Sequence, residues 1–501
     1  MEHQVLHRLG KVHTGSIMSI LIEKFNETYI KIATEPSIAR ELSDYFTITI
    51  PNANWSQHKH WNGKIRLYKA RDRTLYKGLI PYVEDFAKNK GYSVGYSDTS
   101  LSHGNNLSLF EVEQFSKVLN LPVVPHKHQI DGITHALRNR RLMLVSPTAS
   151  GKSLMLYIMI RSLLPVALKE NKRLLVIVPN TNLVEQMYGD FCDYGWNTAK
   201  YCHRIYSGQE KETNHSVVIS TWQSLVNFPK EYFKDFLAVF GDEAHLCTAK
   251  SLQQIIGSCE NAIYRVGTTG TIQDTKSHRL TLEGLFGLIY KPTTTHQLIH
   301  EKKLAAFQIK CVLLNHQQPV FPDYREELEY LVSCEPRNKF IRNLAMSLEN
   351  NTLVLFQFVA KHGVILKEML DQVNKENIKK IYFIYSKVDA EDREKIRTIC
   401  EMESNVIIVA SYGVFQAGAN IKNLHNIIFA SPSKSRIRVC QSIGRELRLH
   451  DTKETAFLFD IADSLVYNDK VNYTLKHFAE RINIYNYERF PWKMYKVELN
   501  Q

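Results

Sequence analysis

The segment PTASGKS, residues 147–153, contains residue types that bind phosphate. Gly151, Lys152 and Ser153 match the end of the pattern G-x-x-x-x-G-K-[ST], whereas Ser146 occupies the position of its first glycine. In such a loop, backbone N–H groups hold the phosphates, the lysine reaches the β and γ phosphates, and the hydroxyl binds Mg²⁺. The residues predicted to bind the nucleotide are Thr148, Ala149, Ser150, Gly151, Lys152 and Ser153, with Ser153 also binding the metal.

The neighbouring sequence distinguishes a nucleotide site from a chance G-K-S in a turn. The run RLMLVS is predicted to be a strand that ends at Ser146, and an apolar-periodic helix is predicted to begin after Gly151. A phosphate-binding loop requires this order of strand, loop and helix, because the helix N-terminus must point at the phosphates. The context therefore favours the nucleotide site.

A second candidate group follows another apolar strand, in the run AVFGDEAH. Asp242 can hold Mg²⁺ through its water shell, and the adjacent Glu243 can orient and deprotonate an attacking water. An isolated acidic pair is commonly a solvated turn. A pair that follows a phosphate-binding loop on a neighbouring strand instead predicts hydrolysis of a nucleoside triphosphate.

The composition is that of a multidomain globular chain. Its 501 residues exceed what one hydrophobic core organises, so two or three domains are expected. No run approaches the roughly 18 apolar residues of a membrane span, and the first residues lack the apolar core and small-residue cleavage site that are typical of a secretory signal. The eight cysteines form no C-x-x-C pair, which suits a reducing cytoplasm and argues against zinc. The net charge of +12 permits a polyanionic partner.

Short apolar runs alternate with longer amphipathic segments in two successive blocks. The first block contains RLMLVS, RLLVIVP, SVVIST, FLAVFGDE and AIYRVG, and the second contains TLVLFQF, KKIYFIYS, NVIIVAS, NIIFAS and TAFLFDI. This alternation predicts an α/β fold with two tandem domains on parallel sheets, preceded by a small α+β domain. The predicted boundaries are 1–110 for an N-terminal nucleic-acid-binding domain, and 111–303 and 304–501 for the two α/β domains.

Together these sequences resemble the ordered motifs of the superfamily 2 helicases and translocases, which carry two RecA-like domains. PTASGKS is the usual P-loop form of that family, which commonly lacks the first glycine. PHKHQ resembles the Q-motif region, which implies that Gln129 reads adenine. VPNTNLVEQ and STWQSL resemble two DNA-tracking motifs, which implies that Thr221 and Trp222 contact nucleic acid. The coupling residues implied in the first domain are His245, Thr269, Gly270 and Thr271.

The second block resembles the remaining motifs of the family in LVLFQFVAKHG, SYGVFQAGANIKNLHNIIFA and QSIGRELR. Arg445 and Arg448 are three residues apart on a predicted helix and share one face. An arginine supplied from a second domain stabilises charge on the γ-phosphate, worth roughly 10³ to 10⁵ in rate, and the alternative is a solvated helix face. Gly418 is predicted to let the backbone approach a phosphate, with a plain turn glycine as the alternative. Gln441 is predicted to take part in coupling.

A basic segment lies in the N-terminal region, between Lys59 and Lys77. It holds seven Lys or Arg residues and one acid, with Trp61, Tyr68 and Tyr76 interleaved. Basic residues neutralise phosphates and aromatic rings stack on unpaired bases, whereas the alternative is a solvated hairpin whose aromatic rings belong to the core. The predicted nucleic-acid contacts in this segment are Lys59, Trp61, Lys64, Arg66, Lys69 and Arg71.

The N-terminal sequences NWSQHKHWNGKIRLYK and KGLIPYVEDFAKNKGY resemble the small first domain of the phage UvsW-type recombination and repair helicases. With the helicase motifs, that similarity covers the chain from about residue 28. It implies an ATP- and Mg²⁺-dependent DNA helicase or translocase that unwinds or remodels branched DNA and R-loops in phage recombination, repair and replication. The implied partners are single-stranded, forked and branched DNA, RNA:DNA hybrids, and single-stranded-DNA-binding or recombination proteins. The resemblance also implies a monomeric motor in the cytoplasm of the infected bacterium.

Two other functions use the same ATPase core. One is an RNA helicase, and the other is the motor subunit of a restriction system. The chain shows no nuclease-like acidic cluster with a lysine outside the core motifs, which argues against the second. Without the resemblance, the sequence supports a nucleic-acid-dependent ATPase.

Overall fold

The computed structural model describes residues 19–49, 63–98, 101, 104–273, 275–317, 321–416, 421, 423–431, 455–465 and 470–499. The chain divides into two compact units. One comprises residues 1–146 and 151–292, and the other comprises residues 147–150 and 293–501. Within the part of the chain that is described, no helix has the length and apolar character to cross a bilayer.

The first unit begins with a small α+β domain. Its strands are β1 Ile20–Lys24, β2 Tyr29–Thr34, β3 Thr47–Thr49, β4 Lys64–Arg66, β5 Thr74–Tyr76 and β6 Val94–Tyr96, and its helices are Pro36–Tyr45 and Ile80–Lys90. Strands β5-β2-β1-β6 form a mixed sheet in that order, and β3 pairs with β4 in a separate antiparallel ribbon. The buried isoleucines of β1 and β2 alternate with more exposed residues, so one face of the sheet packs in the core of this domain.

A seven-stranded parallel sheet organises the rest of the first unit. Its strands are β7 Arg141–Val145, β8 Arg173–Val178, β9 Cys202–Ile205, β10 Val217–Thr221, β11 Phe236–Gly241, β12 Tyr264–Thr269 and β13 Ile289–Tyr290. They lie in the order β13-β7-β12-β11-β8-β10-β9, and every pairing is parallel. Apolar clusters cover both faces, which explains why β10 and β11 are buried throughout.

Helices follow the strands of this sheet. They are Leu109–Val118, Lys127–Asn139, Lys152–Lys169, Thr181–Asp193, Thr198–Tyr201, Trp222–Leu225, Lys250–Ser258 and Lys276–Phe286, with short 3-10 helices at Lys230–Asp235 and Ala244–Thr248. The carboxyl ends of parallel strands open on one edge of a sheet, so the loops that leave these ends converge there.

The second unit contains a second seven-stranded parallel sheet. Its strands are β14 Ala306–His316, β15 Thr352–Phe356, β16 Lys380–Ile384, β17 Val406–Ser411, β18 Asn426–Phe429, β19 Thr455–Leu465 and β20 Trp492–Glu498. They lie in the order β16-β17-β15-β18-β19-β14-β20. The helices are Thr295–His300, Tyr324–Ser333, Glu335–Ser347, Val364–Val373, Ala390–Met402, Tyr412–Gln416 and Tyr473–Tyr487.

The predicted fold class is confirmed. Two parallel α/β sheets follow a small N-terminal α+β domain, and each of the ten apolar runs read as strands overlaps one. The N-terminal domain groups with the first α/β domain, so no division falls after residue 110, and the division at residues 292 and 293 lies before the predicted boundary after residue 303. Those boundaries stay predictions.

Candidate active site

The phosphate-binding loop leaves the carboxyl end of β7 and enters helix Lys152–Lys169. Gly151 caps the helix with φ 83°, in the left-handed region that favours glycine. A Cβ at Gly151 would lie 2.1 Å from Gln129 Nε2, so the glutamine packs against the loop. The backbone N–H of Ser146 donates to the Thr269 carbonyl at 2.9 Å, and Lys152 Nζ donates to the Ser146 carbonyl at 3.2 Å. The loop is thereby attached to β12 and to its own lysine.

Replacing Gly151 with Ala is expected to weaken ATP binding. The new Cβ would displace Gln129 Nε2, and the positive φ would cost roughly 1–2 kcal/mol, which corresponds to about ten-fold in affinity. Gly189→Ala is the control, because nothing lies within 4 Å of a Cβ at that helical position. Calorimetric titration with ATP measures the difference, and an unchanged Kd for Gly151→Ala would contradict the steric argument.

Gln129 is held in place by its own helix start. Its Oε1 accepts the backbone N–H of His126 at 2.7 Å, which closes a capping box at the beginning of helix Lys127–Asn139. The residue is buried and its amide nitrogen lies against Gly151. This geometry brings Gln129 to the phosphate-binding loop, and its part in reading adenine stays a prediction.

The acidic turn, residues 242–245, follows β11. The backbone N–H of Asp242 donates to the Ile177 carbonyl at 2.9 Å, and the Asp242 carboxylate accepts from Thr268 Oγ1 at 2.8 Å. Burial raises the pKa of Asp242 and the charge of Glu243 raises it further, whereas the charge of Lys152 lowers it. A buried carboxyl with a raised pKa gains from a nearby cation. Asp242 therefore fits a metal ligand placed close to Lys152.

Glu243 adopts an unusual backbone conformation, with φ 48° and ψ 45°. A non-glycine residue in this region costs on the order of 1–3 kcal/mol, and such strain is concentrated at functional sites. The Glu243 carboxylate lies 3.3 Å from His245 Nδ1 and 3.4 Å from Thr269 Oγ1. Thr269 Oγ1 is also 2.9 Å from His245 Nδ1 and donates to the Thr271 carbonyl at 3.1 Å. The acidic turn is thus connected to the end of β12, where Gly270 follows.

Thr268 is a site residue that the sequence analysis missed. It lies one position after Gly267, which pairs with Gly241 across β11 and β12, so Thr268 comes opposite Asp242. The sequence did contain a signal for this residue. A hydroxyl side chain that lies opposite a predicted metal ligand on the adjacent strand can donate a hydrogen bond to it.

Some predicted site residues lie outside the described residues, namely Lys59, Trp61, Gly418, Gln441, Arg445 and Arg448. Ser153 lies in the first turn of helix Lys152–Lys169, beside Lys152. Thr148, Ala149 and Ser150 form the loop between Ser146 and Gly151, with Ala149 at φ 66°.

The remaining nucleic-acid candidates lie in two places of the first unit. Thr221 ends β10 at the same edge as the phosphate-binding loop, and Trp222 begins the short helix that follows. The other candidates belong to an exposed group in the N-terminal domain, which we call the basic patch: Lys64, Arg66, Lys69, Arg71 and Arg73.

The fold consists of two tandem parallel α/β sheets. The first carries a phosphate-binding loop and an acidic turn that contacts Thr269 at the end of β12. These features are those of the superfamily 2 helicase class. The family model described as "Type III restriction enzyme, res subunit" matches residues 122–274, and the model described as "DNA helicase UvsW, N-terminal" matches residues 20–97. The chain is 33% identical over 514 residues to the ATP-dependent DNA helicase uvsW of Enterobacteria phage T4, covering 96% of this chain and 100% of that protein. The chain belongs to the UvsW family of ATP-dependent DNA helicases.

Solved structures agree with this assignment. The crystal structure of T4 UvsW matches with a TM-score of 0.50 at 32% identity, over 96% of this chain and 100% of that chain. The S. cerevisiae protein Dbp5 bound to RNA and ADP BeF3 matches with a TM-score of 0.51 at 13% identity, over 77% of this chain and 95% of that chain. The second likeness shows the fold alone.

Proposed function

We propose that this chain uses ATP hydrolysis to unwind or remodel branched DNA and R-loops in phage recombination, repair and replication. Membership of the UvsW family supports an ATP-driven DNA motor. The observation that carries the choice of branched DNA is the basic patch, which lies outside both α/β domains. Phosphate contacts along one strand position a motor without selecting a junction, so junction preference needs an additional surface.

The proposed chemistry assigns a separate task to each group of the candidate site. Lys152 neutralises the β and γ phosphates, and Glu243 orients and deprotonates the attacking water. Ser153 and Asp242 would hold Mg²⁺, because hydroxyl and carboxylate oxygens are the hard donors that this ion prefers. When bound, Mg²⁺ would neutralise charge that develops on the phosphates. From the sequence, Arg445 and Arg448 are proposed to add positive charge at the γ-phosphate.

The basic patch has the features of a surface for DNA. Its five side chains are exposed, and Lys69 Nζ lies 5.2 Å from the centroid of the Tyr29 ring. Exposed cationic side chains neutralise phosphates and release counterions, which makes binding depend on salt. The proposed ligands are single-stranded, forked and branched DNA and RNA:DNA hybrids. Single-stranded-DNA-binding or recombination proteins are proposed as partners of a monomeric motor in the host cytoplasm.

The test compares substrates at fixed salt. ATP turnover and strand separation are measured with single-stranded, duplex, forked and four-way DNA, with an RNA:DNA hybrid and with RNA. Forked and four-way DNA and the hybrid are expected to be separated fastest. Stimulation by RNA alone would overturn the proposal in favour of an RNA helicase. Translocation along duplex DNA without strand separation would favour a restriction-type motor.

Replacing Lys64, Arg66 and Lys69 with Ala is expected to weaken binding of forked DNA and to flatten its salt dependence. Each phosphate contact that is lost should reduce the slope of log affinity against log salt by about 0.9. ATP turnover without nucleic acid should persist, because these residues belong to the N-terminal domain and not to the candidate active site.

The matched control removes the same charge elsewhere in that domain. Arg40, Lys88 and Lys90 are exposed on its two helices, so their replacement by Ala changes the net charge equally. Fluorescence anisotropy at several salt concentrations gives both slopes. Equal slopes of log affinity against log salt for the two triple variants would show that the basic patch is a solvated surface that makes no phosphate contacts.

A further inference from the structure

Helix Lys276–Phe286 is buried on more than one side, so it packs against more than one neighbour. Its buried residues are His278, Leu280, Thr281, Leu282, Glu283, Gly284, Leu285 and Phe286. Some of them contact the acidic turn and its strands, and others contact the N-terminal domain.

His278 connects the helix to the acidic turn. Its Nε2 donates to the backbone carbonyl of His245 at 2.9 Å, and its Nδ1 is buried without a hydrogen-bond partner. Burial lowers the pKa of His278, although the bond to the carbonyl opposes that effect. Because a carbonyl oxygen can only accept, the Nε2 atom that faces the turn carries a proton. This bond restrains the 3-10 helix that begins directly after the strained Glu243.

The other end of the helix packs against the two strands that carry the site. A Cβ at Gly241 would lie 2.9 Å from the ring of Phe286, and so would a Cβ at Gly267. These glycines come directly before Asp242 and Thr268. Helix Lys276–Phe286 therefore restrains the acidic turn both through His278 and through Phe286.

The opposite side of the helix packs into the N-terminal domain. Leu280 belongs to the apolar core of that domain. The buried Glu283 carboxylate accepts from Tyr82 OH at 2.5 Å. A Cβ at Gly78 would lie 2.0 Å from the Glu283 carbonyl oxygen, so the backbones meet with no space for a side chain. The contact is thus close and specific.

A continuous series of side-chain contacts that involve Tyr76 and Tyr29 connects this helix to the basic patch. A Cβ at Gly284 would lie 3.0 Å from the Tyr76 side chain. The Tyr76 ring stacks on Tyr29, with centroids 5.0 Å apart, and Lys69 lies over Tyr29. A contiguous series of packed groups is one physical route by which two sites are coupled.

We propose that helix Lys276–Phe286 couples nucleic-acid binding at the basic patch to the geometry of the acidic turn, with His278 as the positioning residue for Glu243 and His245. This coupling rests on the proposed function, because it needs nucleic acid at the basic patch. Nucleic acid bound there stabilises one arrangement of the Tyr29 and Tyr76 pair, and the helix transmits that arrangement to the turn.

The first test removes the bond to the acidic turn. His278→Ala should lower kcat for ATP hydrolysis about ten-fold while KM for ATP stays within two-fold, because a buried hydrogen bond of about 1.4 kcal/mol is lost from the turn and not from the nucleotide. His278→Gln should recover most of the rate, since its amide can donate to the same carbonyl. Equal rates for His278→Ala and wild type, or no recovery with Gln, would overturn the positioning role.

The second test breaks the connection on the N-terminal side. Tyr82→Phe removes the bond to Glu283, and Tyr92→Phe removes a comparable bond to Glu41 elsewhere in the same domain. Tyr82→Phe should leave forked-DNA affinity and basal ATP turnover unchanged but reduce DNA stimulation of turnover about five-fold, and Tyr92→Phe should not. Full stimulation in Tyr82→Phe would overturn the coupling while the proposed function stands. A wild-type ATPase that no nucleic acid stimulates would overturn the proposed function itself.

Discussion

Lys152→Ala and Glu243→Gln are both expected to stop ATP hydrolysis, but only the first should remove ATP binding. Lys152 begins the helix that follows the phosphate-binding loop and carries the charge assigned to the β and γ phosphates. Glu243 lies after β11 and is assigned to the attacking water, so its loss should cost about 10² to 10⁴ in kcat. Glutamine keeps the size and the hydrogen-bonding oxygen near Thr269 and removes the base.

Equilibrium binding of a fluorescent ATP analogue, beside steady-state turnover, separates the two roles. The glutamine variant should bind ATP as tightly as the wild type and retain it. Gln254→Ala is a suitable control, because this residue is exposed on helix Lys250–Ser258 and lies outside the acidic turn. An equal loss of affinity in both site variants would disprove the task given to Glu243.

Asp242→Asn is expected to abolish Mg²⁺-dependent hydrolysis and yet to stabilise the protein in the absence of nucleotide. The carboxylate is the proposed metal ligand, and a bound metal stabilises the charge of the transition state by several kcal/mol. Loss of about 4 kcal/mol of this stabilisation corresponds to about 10³-fold in rate. Asparagine can still accept the bond from Thr268 Oγ1, so the geometry of the strand ends is kept.

The gain in stability follows from the raised pKa of Asp242. Because the folded protein holds this proton more tightly than the unfolded chain, ionisation costs stability as the pH rises through the folded pKa. The advantage of Asp242→Asn should therefore be present at neutral pH and vanish as the pH falls toward 3.8, the ordinary value. Thermal unfolding without nucleotide at pH 7.5 and pH 4 tests this, and a lower Tm at pH 7.5 for the variant would contradict it.

Strands that are buried on both faces were predictable from sequence, because a parallel sheet covered by helices requires short continuous apolar runs. The runs around β8, β11 and β17 are buried along their length. Strand β20 was not predictable in this way, because WKMYKVE is mostly exposed. It is a strand because β14 offers an unpaired edge, which is a tertiary cause with no local signature.

The candidate active site likewise has a part that could be predicted from sequence and a part that could not. Lys152 follows β7, whereas Asp242 and Glu243 follow β11, and β12 lies between these strands, so the prediction of a neighbouring strand was wrong. The carboxyl ends of parallel strands lie at one edge of the sheet, so the position of the three residues at the same edge could be predicted. The bond from His278 to His245 could not, because it depends on how a later helix packs against the turn. The side-chain path from Tyr29 to Gly284 likewise joins segments far apart in sequence.

The position of strand β14 in the chain determines when the sheet of the second unit can form during synthesis on the ribosome. It is the first strand of its sheet to be synthesised, yet its partners β19 and β20 are the last, with all eleven of its residues paired to β19. At roughly 5–20 residues per second, β14 is synthesised about 9 to 35 seconds before β20. Both edges of this apolar strand are open until β19 is synthesised, and one edge stays open until β20 is synthesised. Open strand edges are templates for association with other chains. A nascent chain of this protein therefore depends on prompt completion, and a stop codon ahead of Trp492 would leave one edge of β14 permanently uncovered.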